Sequence, residues 1–420
     1  MDTSAPTPRF YVDQPKDWKQ LPRCVIIRGW AFDLDGRPIR AIRLRAGKVT
    51  IDGVVGLPRP DVKGAMPEAP DDNTGFELRG TLPSGRVRVS LEAVSADGAW
   101  YSLMERPVEV ARQIIPLWLG GGAWTELMFF QMPAHMAYPP RPVRFEKFPA
   151  SAPASRRPQL AIVTPSYQQA RFLDETMRSV LDQPGIDCQY VVQDGGSTDD
   201  SAHLIRQHAP RLHAWESIRD TGQADAIARG LAKTSGGPDD LMAWINSDDY
   251  YQPGALAYVA DYFARHPEVD VLYGHRIVVD EGSREIARWF LPPHDDAVLR
   301  LNDFVPQETM FWRRRLWDKV GGLDTSFHFA IDWDLLLRFQ AAGARIVRVP
   351  YFLACFRVHP TQKTSFAMHD TGQREITLLR ERAQGRHFPI EELETSPLLL
   401  RYLRRSARIE FLWRLGLRAP

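Results

Sequence analysis

Cysteine is scarce in this 420-residue chain: Cys24, Cys188 and Cys355 are odd in number, far apart and in no metal-type spacing. Such a set points away from both a disulfide framework and a zinc site, and it fits a reducing compartment. Long apolar runs are also missing, since no stretch reaches the roughly 18 residues that a membrane-crossing helix needs. The opening segment "MDTSAPTPRFYVDQPKDW" has no basic-then-apolar profile of a secretory leader. A cytoplasmic protein, at most held peripherally at the inner face of a membrane, is the expectation. A dominant charge sign is lacking too: 53 basic against 52 acidic residues argue against a nucleic-acid partner, whose footprint would tilt the total.

The length suggests two domains with connecting or terminal segments. From Cys24 to about Leu103 apolar and polar residues alternate with period two: Ile42 and Leu44 against Arg43 and Arg45, Phe76 and Leu78 against Glu77 and Arg79, Val87, Val89 and Leu91 against Arg86, Arg88 and Ser90. Half-buried strands read this way. The turn signals "DLDGRP", "GKVTIDG", "LPSGR" and "SADGAW" part them at short intervals, which predicts an all-β antiparallel sandwich of about 90 residues. An apolar, glycine-rich passage follows, and seven prolines lie between Pro133 and Pro158, too many for a helix or a central strand. Beyond Arg157 the pattern changes again. "LAIVTPSY", "CQYVVQDGGSTDDS" and "DDLMAWINSDD" read as strands ending in polar loops, each leading into a helical stretch such as "ARFLDETMRSVLDQ" or "GALAYVADYFARH". Repeated strand-loop-helix units imply an α/β region with a mainly parallel, helix-covered sheet. Ligands of such sheets bind beyond the carboxyl ends of the strands.

That rule gathers Thr164, Ser166 and Tyr167 at the end of one strand, Asp194 at the end of a second, and Asp248 with Asp249 at the end of a third. Adjacent carboxylates repel, so a cation or hydrogen-bond donors would be held there. A plainer reading of "NSDDYYQPGAL" is a helix cap ahead of a Pro-led apolar run. "DGGSTD" likewise reads as a tight turn whose Ser197 or Thr198 caps the next helix.

The segments "TPSYQQARFLDETMRSVLDQ", "VVQDGGSTDDS", "DTGQADAIARGL", "WINSDDYYQPGAL", "PQETMFWRRRLWDKVGGLD", "FAIDWDLLLRF" and "FRVHPTQKT", in this order over about residues 158 to 366, resemble glycosyltransferase family 2. The resemblance implies a GT-A, Rossmann-like fold with helices on both sheet faces, and an inverting, nucleotide-sugar-dependent glycosyltransferase. Thr164, Ser166, Tyr167, Asp194, Gln223, Asp225 and Asp248 would then line the nucleotide donor, with Asp194 accepting from the base. Asp249 would hold Mg²⁺ or Mn²⁺, the hard cations that an oxygen-rich site favours, with His359 as a metal ligand or diphosphate contact. Asp332 would be the base and Asp334 its structural partner. Gln307 and Glu308 would meet the acceptor. Ala226 and Ala228 stand where relatives often carry larger or polar residues.

Each assignment has a plainer counterpart. Asp332 and Asp334 would simply cap a helix and complement its dipole, Gln307 and Glu308 would bond within their loop, His359 would be structural, and Lys363 a solvated loop charge. The tail "LLLRYLRRSARIEFLWRLGLRAP" holds six arginines from 401 to 418 against Glu410 alone; such helices lie on anionic membranes or pack on their own protein with arginines outward. The expected organisation is therefore a sandwich over residues 1–115 serving carbohydrate binding or assembly, a Pro/Gly-rich linker over 116–157, the transferase domain over 158–385, and a basic helical tail over 386–420. The partners expected are a nucleoside-diphosphate sugar, UDP-linked by preference, and a glycan or lipid-linked acceptor of bacterial surface polysaccharide synthesis. A non-catalytic sugar-binding scaffold on the same fold is the alternative. A nucleotidyltransferase is disfavoured because no Gly-rich, Lys/Arg-bearing triphosphate loop is present.

Overall fold

Period-two alternation in the first hundred residues does produce strands, and one bent strand decides how they are assembled. The computed structural model describes residues 8–15, 18–21, 24–33, 37–83, 85–95, 98–110, 140–149, 157–359, 362, 371–388, 392–393 and 396–417. The chain divides into two units, Met1–His135 and Met136–Pro420. The first holds β1 (Arg9–Gln14), β2 (Gln20–Leu21), β3 (Cys24–Phe32), β4 (Ala41–Ala46), β5 (Val49–Leu57), a short α1 (Pro60–Ala65), β6 (Gly75–Thr81), β7 (Gly85–Val94) and β8 (Trp100–Val110). Their hydrogen-bonded order is β1-β3-β6-β5-β4-β7-β8-β2. All described neighbours are antiparallel except β2 on β8.

The two facing sheets of a sandwich are not what forms. β5 pairs with β4 through Val49–Asp52 and with β6 from Gly53 onward, so a single strand serves both halves. At the handover a Cβ on Gly53 would stand 2.6 Å from both the Ile42 and the Leu78 side chains, and only glycine lets the strands approach this closely. Ile42, Leu44, Phe76, Leu78, Val89 and Leu91 all turn into one shared core with Val25, Ile27 and Val108. The sheet is thus a curled, barrel-like layer around one interior.

In the second unit the central strand β10 (Leu160–Ser166) is buried along its whole length, as a continuous apolar run in a covered parallel sheet should be. β9 (Arg141–Pro142) precedes it and α2 (Ala170–Leu181) follows. Then come β11 (Cys188–Asp194), α3 (Ser201–His208), β12 (Ala214–Ser217), α4 (Gln223–Ala232), β13 (Leu241–Trp244), β14 (Tyr250–Tyr251) and α5 (Ala255–Arg265). The remainder is β15 (Val271–Val279), β16 (Arg284–Trp289), α6 (Asp296–Leu299), β17 (Phe311–Arg313), α7 (Arg314–Val320), α8 (Ile331–Ala341), β18 (Ile346–Arg357), α9 (Gln373–Gln384) and α10 (Pro397–Arg414). The sheet runs β12-β11-β10-β13-β17-β15-β16-β9, with β18 joined to β14 and β15.

β12, β11, β10 and β13 are mutually parallel, whereas β17, β16 and β9 pair antiparallel with their neighbours. The sheet is therefore mixed, and not as parallel as the strand-helix alternation implied. β15 returns directly into β16 through the turn at Asp280–Ser283, and a direct return needs no crossover helix.

The described part of the expected linker and the expected tail belong to this second unit. Most of the proposed linker, 116–139 and 150–156, lies outside the described residues. Its part 140–149 adds β9 to the sheet edge, with Arg141 ion-paired to the buried Glu285 at 2.7 Å. Phe148 stacks on Tyr258 with ring centres 4.9 Å apart. The tail helix α10 buries Leu399, Tyr402, Ser406, Ala407 and Ile409. Its Trp413 lies against Phe290 and Phe352 and donates to Glu146 Oε1 at 2.6 Å. Arg401, Arg404, Arg405 and Arg408 face outward. Among the described residues no helix is long and apolar enough to cross a membrane.

Candidate active site

The carboxyl ends of β10 and β11 are in register, Ser166 opposite Asp194, and Asp194 in turn is opposite Ser217 of β12. Asp194 is fully buried and its carboxylate is occupied: it accepts from Ser197 N at 2.9 Å, Ser197 Oγ at 2.6 Å and Ser217 Oγ at 2.6 Å. Those bonds fold the Gly195–Gly196 turn tightly. Gly196 has φ +79°, and a Cβ on Gly195 would stand 2.7 Å from Asp220. Burial raises the pKa of the Asp220 carboxyl, with the charges of Asp225 and Asp194 adding to it.

Ser197 and Thr198 do not cap the helix that follows them. They reach across to the loop after β10, where Gln168 N donates to Ser197 Oγ and Gln168 Nε2 to Thr198 Oγ1, both at 2.8 Å. Gln168 is held at φ +55°, a conformation that non-glycine residues keep only where their surroundings impose it. The two loops at this rim are therefore fixed to each other, and Tyr167, 63% exposed, projects from them.

Other expected donor residues divide. Ser166 Oγ is buried with no hydrogen-bond partner among the described residues. Gln223 donates to Asn246 Oδ1 at 2.7 Å, linking the start of α4 to the loop after β13. Asp225 accepts from Thr221 N at 3.1 Å and closes its own turn. Thr164 departs from expectation: it points into the interior, its hydroxyl 2.8 Å from Tyr190 Oη. Strand alternation puts it on the same face as Ser166, but two residues earlier along β10 and so deeper than the rim.

Asp248 and Asp249 form the centre of the site, and neither caps a helix. The residue ahead of α5 is Gly254, with no side-chain cap. Asp249 is 1% exposed; one oxygen accepts from Arg357 N at 2.9 Å, and Oδ2 has no partner among the described residues. Desolvation first, then the Asp248 and Glu308 charges, raise its pKa well above the usual carboxylate range, while the Arg357 amide and Arg276 oppose the shift. Asp248 accepts from His359 Nε2 at 2.9 Å. His359, expected to face the metal or a phosphate, thus spends that nitrogen on a carboxylate.

Arg357, which pattern reasoning passed over, organises this turn. Its guanidinium is 1% exposed, donates to the Asp248 carbonyl at 2.8 Å and to Ser283 Oγ at 2.9 Å, pairs with Glu175, and lies over the Phe172 ring. A lone arginine inside the apolar run "YFLACFRVH" was the available signal, because such a charge is buried only when fully paired.

Gln307 donates to the Trp244 carbonyl at 2.8 Å, which brings it to the end of β13. Glu308 departs from the acceptor-facing expectation, being 1% exposed in a bidentate pair with the buried Arg276. Asp332 is half-buried in the first turn of α8, with Oδ1 3.0 Å from Trp333 N, and Ala330, the residue ahead of α8, provides no side-chain cap. Asp334 is buried against Arg338 at 2.8 Å, with Arg382 at 3.5 Å.

Asp303 also went unnoticed in the sequence. Burial and then the neighbouring Asp332 charge raise its pKa well above the ordinary range, and Glu308 adds to the effect while Arg276 opposes it. Asp332, Asp303, Glu308, Arg276 and Asp249 are thus successive charge neighbours. Lys363 lies outside the described residues.

No three His, Cys, Asp or Glu among the described residues converge as a cage for a metal. A cation of the Mg²⁺ class needs no such cage, since it is typically bound by one or two carboxylates together with substrate phosphates. The orphaned Asp249 Oδ2, with Asp248 beside it, fits that mode.

Residues 161–322 match the family described as glycosyl transferase family 2. The O-antigen biosynthesis protein RfbC of Myxococcus xanthus is 31% identical over 202 residues, 47% of this chain and 16% of that protein. This chain therefore aligns with only a small part of that relative's length. A PGL/p-HBAD biosynthesis glycosyltransferase of Mycobacterium bovis (strain BCG / Pasteur 1173P2) is 28% identical over 195 residues, 46% of this chain and 73% of that protein. Among solved structures, S. aureus TarS 1–349 in complex with UDP-GlcNAc aligns with a TM-score of 0.42 at 15% identity, over 62% of this chain and 92% of that one. Mannosyltransferase PcManGT from Pyrobaculum calidifontis, in complex with GDP-Man and Mn²⁺, aligns with a TM-score of 0.39 at 17% identity, over 68% and 75%.

Proposed function

Through residues 161–322 the chain belongs to glycosyl transferase family 2, and from that premise we propose that it is a metal-dependent inverting glycosyltransferase. The donor would be a nucleoside-diphosphate sugar, UDP-linked by preference, and the acceptor a hydroxyl of a glycan or lipid-linked glycoconjugate in surface polysaccharide synthesis. The observation that carries the proposal is the pair of strand-end turns. One is the Asp194 turn locked to the Gln168 loop; the other is the Asp248–Asp249 turn braced by Arg357, with Asp249 Oδ2 left without a partner among the described residues. Prefixed loops beyond parallel strands suit an elongated nucleotide ligand. In this reading Tyr167, Ser166 and Gln223 border the nucleotide, and Asp194 acts by shaping the turn.

Transfer with inversion is one displacement. The acceptor oxygen forms a bond to the anomeric carbon from the face opposite the diphosphate, the carbon–oxygen bond to the phosphate breaks, and the diphosphate leaves with the electron pair. Asp332 accepts the acceptor's proton, general-base work worth about 10² to 10⁴ in rate. Asp249, with Asp248 beside it, would hold Mg²⁺ or Mn²⁺, which supplies charge neutralisation for the leaving diphosphate when bound. His359 keeps Asp248 oriented.

Two further parts belong to the proposal. The curled β unit serves as an acceptor-binding or assembly module. The outward arginines of α10, beside the exposed Leu400, support peripheral contact with an anionic bilayer that presents a lipid-linked acceptor; salt-sensitive liposome binding tests this.

The discriminating experiment is nucleotide release from a panel of UDP-, GDP- and dTDP-sugars, with and without Mn²⁺, for the wild-type chain and Asp332→Asn. Mn²⁺-dependent release, with donor binding retained and transfer lost in Asp332→Asn, is expected. Sugar-nucleotide binding with no turnover under any condition would support the scaffold alternative instead.

A further inference from the structure

The Glu375 carboxylate, in the first turn of α9, accepts three consecutive backbone N–H groups: His328 at 2.8 Å, Phe329 at 2.8 Å and Ala330 at 2.9 Å. These are the three residues immediately before α8, whose boundary residue Ala330 has no side chain able to cap it. Successive backbone donors aimed at one point make an anion-binding concavity, and the chain fills it with its own carboxylate. α9 grips α8 again at Arg380, which lies over the Trp333 ring and donates to the Leu301 carbonyl at 2.8 Å. On the opposite side, His328 Nδ1 lies 3.9 Å from where a Cβ on Gly222 would stand. The turn held by Glu375 therefore faces the segment that leads into Gln223, and Asp332 sits two residues beyond its last bond.

We propose that Glu375 is a positioning residue for sugar transfer: by fixing the backbone of residues 328–330 it sets where the first turn of α8 begins, and so where the Asp332 carboxylate meets the acceptor hydroxyl. The role rests on Asp332 being the base. Glu375, like Asp332, lies outside the family-matched stretch 161–322. A carboxylate is suited to the task because two oxygens carry enough lone pairs for three donors, and charge-assisted bonds are the stronger kind. Glutamine offers one acceptor oxygen and is a partial substitute. Misplacing a reacting group by about 1 Å is enough to cost on the order of 10² in rate.

The test compares Glu375→Ala, Glu375→Gln, Asp332→Asn and the double variant Asp332→Asn/Glu375→Ala in the full chain, using whichever UDP-, GDP- or dTDP-hexose the wild type turns over. For Glu375→Ala the expected result is a kcat fall of about 10- to 100-fold with the donor KM within twofold, and Glu375→Gln should recover part of it. Hydrogen exchange at amides 328–330 should speed up in both. In the Asp332→Asn background Glu375→Ala should add no further loss, because a residue acting through the base has nothing left to position. A merely structural role would lower both backgrounds by the same factor, and that outcome overturns the proposal, as does a Glu375→Ala kcat within twofold of wild type. If the alanine variant does not fold, the same comparison with glutamine decides. Wild-type rates in Asp332→Asn would instead refute the base assignment, a failure recognisable without any Glu375 variant.

Discussion

Replacing Arg357 by methionine removes a guanidinium that is 1% exposed while keeping most of its apolar length. Its bonds to the Asp248 carbonyl at 2.8 Å and Ser283 Oγ at 2.9 Å are lost, each worth about 1 kcal/mol net, with a further penalty of about 1–3 kcal/mol where an acceptor stays buried and unpaired. Glu175 is 44% exposed, so its carboxylate re-solvates and its ion pair contributes less than about 1 kcal/mol. Methionine recovers contact with Phe172 but forfeits the cation–π attraction, about 0.5–2 kcal/mol. The sum is about 4–8 kcal/mol, which for a body of this size lowers Tm by about 8–16 °C. Arg357→Lys keeps the charge but not the fork, and should lose about half as much. Because the Asp248–Asp249 turn loses its brace, titration calorimetry with UDP and GDP in Mn²⁺ should show weaker binding in both variants, more so in methionine. Melting within 2 °C of wild type together with unchanged nucleotide affinity would refute the idea that Arg357 holds the turn.

Asp249→Asn should leave Tm within a few degrees of wild type while cutting Mn²⁺-supported turnover at least about 10²-fold, in line with removal of a metal-bearing carboxylate; unchanged turnover in chelator would contradict the metal assignment. Asp334→Asn strips the partner from Arg338 inside the protein, so about 2–4 kcal/mol of stability should go while transfer per folded molecule stays near wild type, measurable by calorimetry and active-site-normalised rates. Glu216 is held down to about 2 by Gln193, Lys233 and Arg229. Its stabilising contribution is therefore complete above the free carboxylate value and is lost as pH falls from about 4.5 toward 2; wild type and Glu216→Gln melting curves should differ at pH 7 and converge across that window. Trp413→Ala should cost about 3 kcal/mol through lost ring contact and the Glu146 bond, and equal melting would mean that α10 is an appendage.

The sequence was most legible where one physical cause dominated. Apolar runs such as "LAIVTPS" became buried strands, and the strand-end rule brought Ser166, Asp194 and Asp249 into one region. It was less legible where a residue's partner lies far along the chain. Arg357 meets Glu175 across 182 positions and Glu308 meets Arg276 across 32, so no local pattern distinguishes a buried brace from a contact to substrate. Thr164 and Ser166 look alike in sequence and share one face of β10, but the deeper hydroxyl meets Tyr190 while the one at the strand end has no partner among the described residues. The sandwich expectation erred for a related reason: period two reveals that strands have an inner face, not that β5 crosses from one half of the layer to the other at Gly53.

The bond between Trp413 and Glu146 spans 267 positions, and that separation has a consequence during synthesis. At about 5–20 residues per second, ribosomes need on the order of 10–50 s to travel from one partner to the other. Phe352 precedes Trp413 by 61 positions, so for about the last 3–12 s of that interval the surface formed by Arg288, Phe290 and Phe352, which the finished chain covers with the Trp413 ring, is present without its cover. The curled β unit, whose strands are all made before residue 111, has its full complement of partners long before. Nascent chains should therefore carry a folded amino-terminal module ahead of an incomplete and adhesive α/β body, and this late-closing face is where a chaperone would find its foothold.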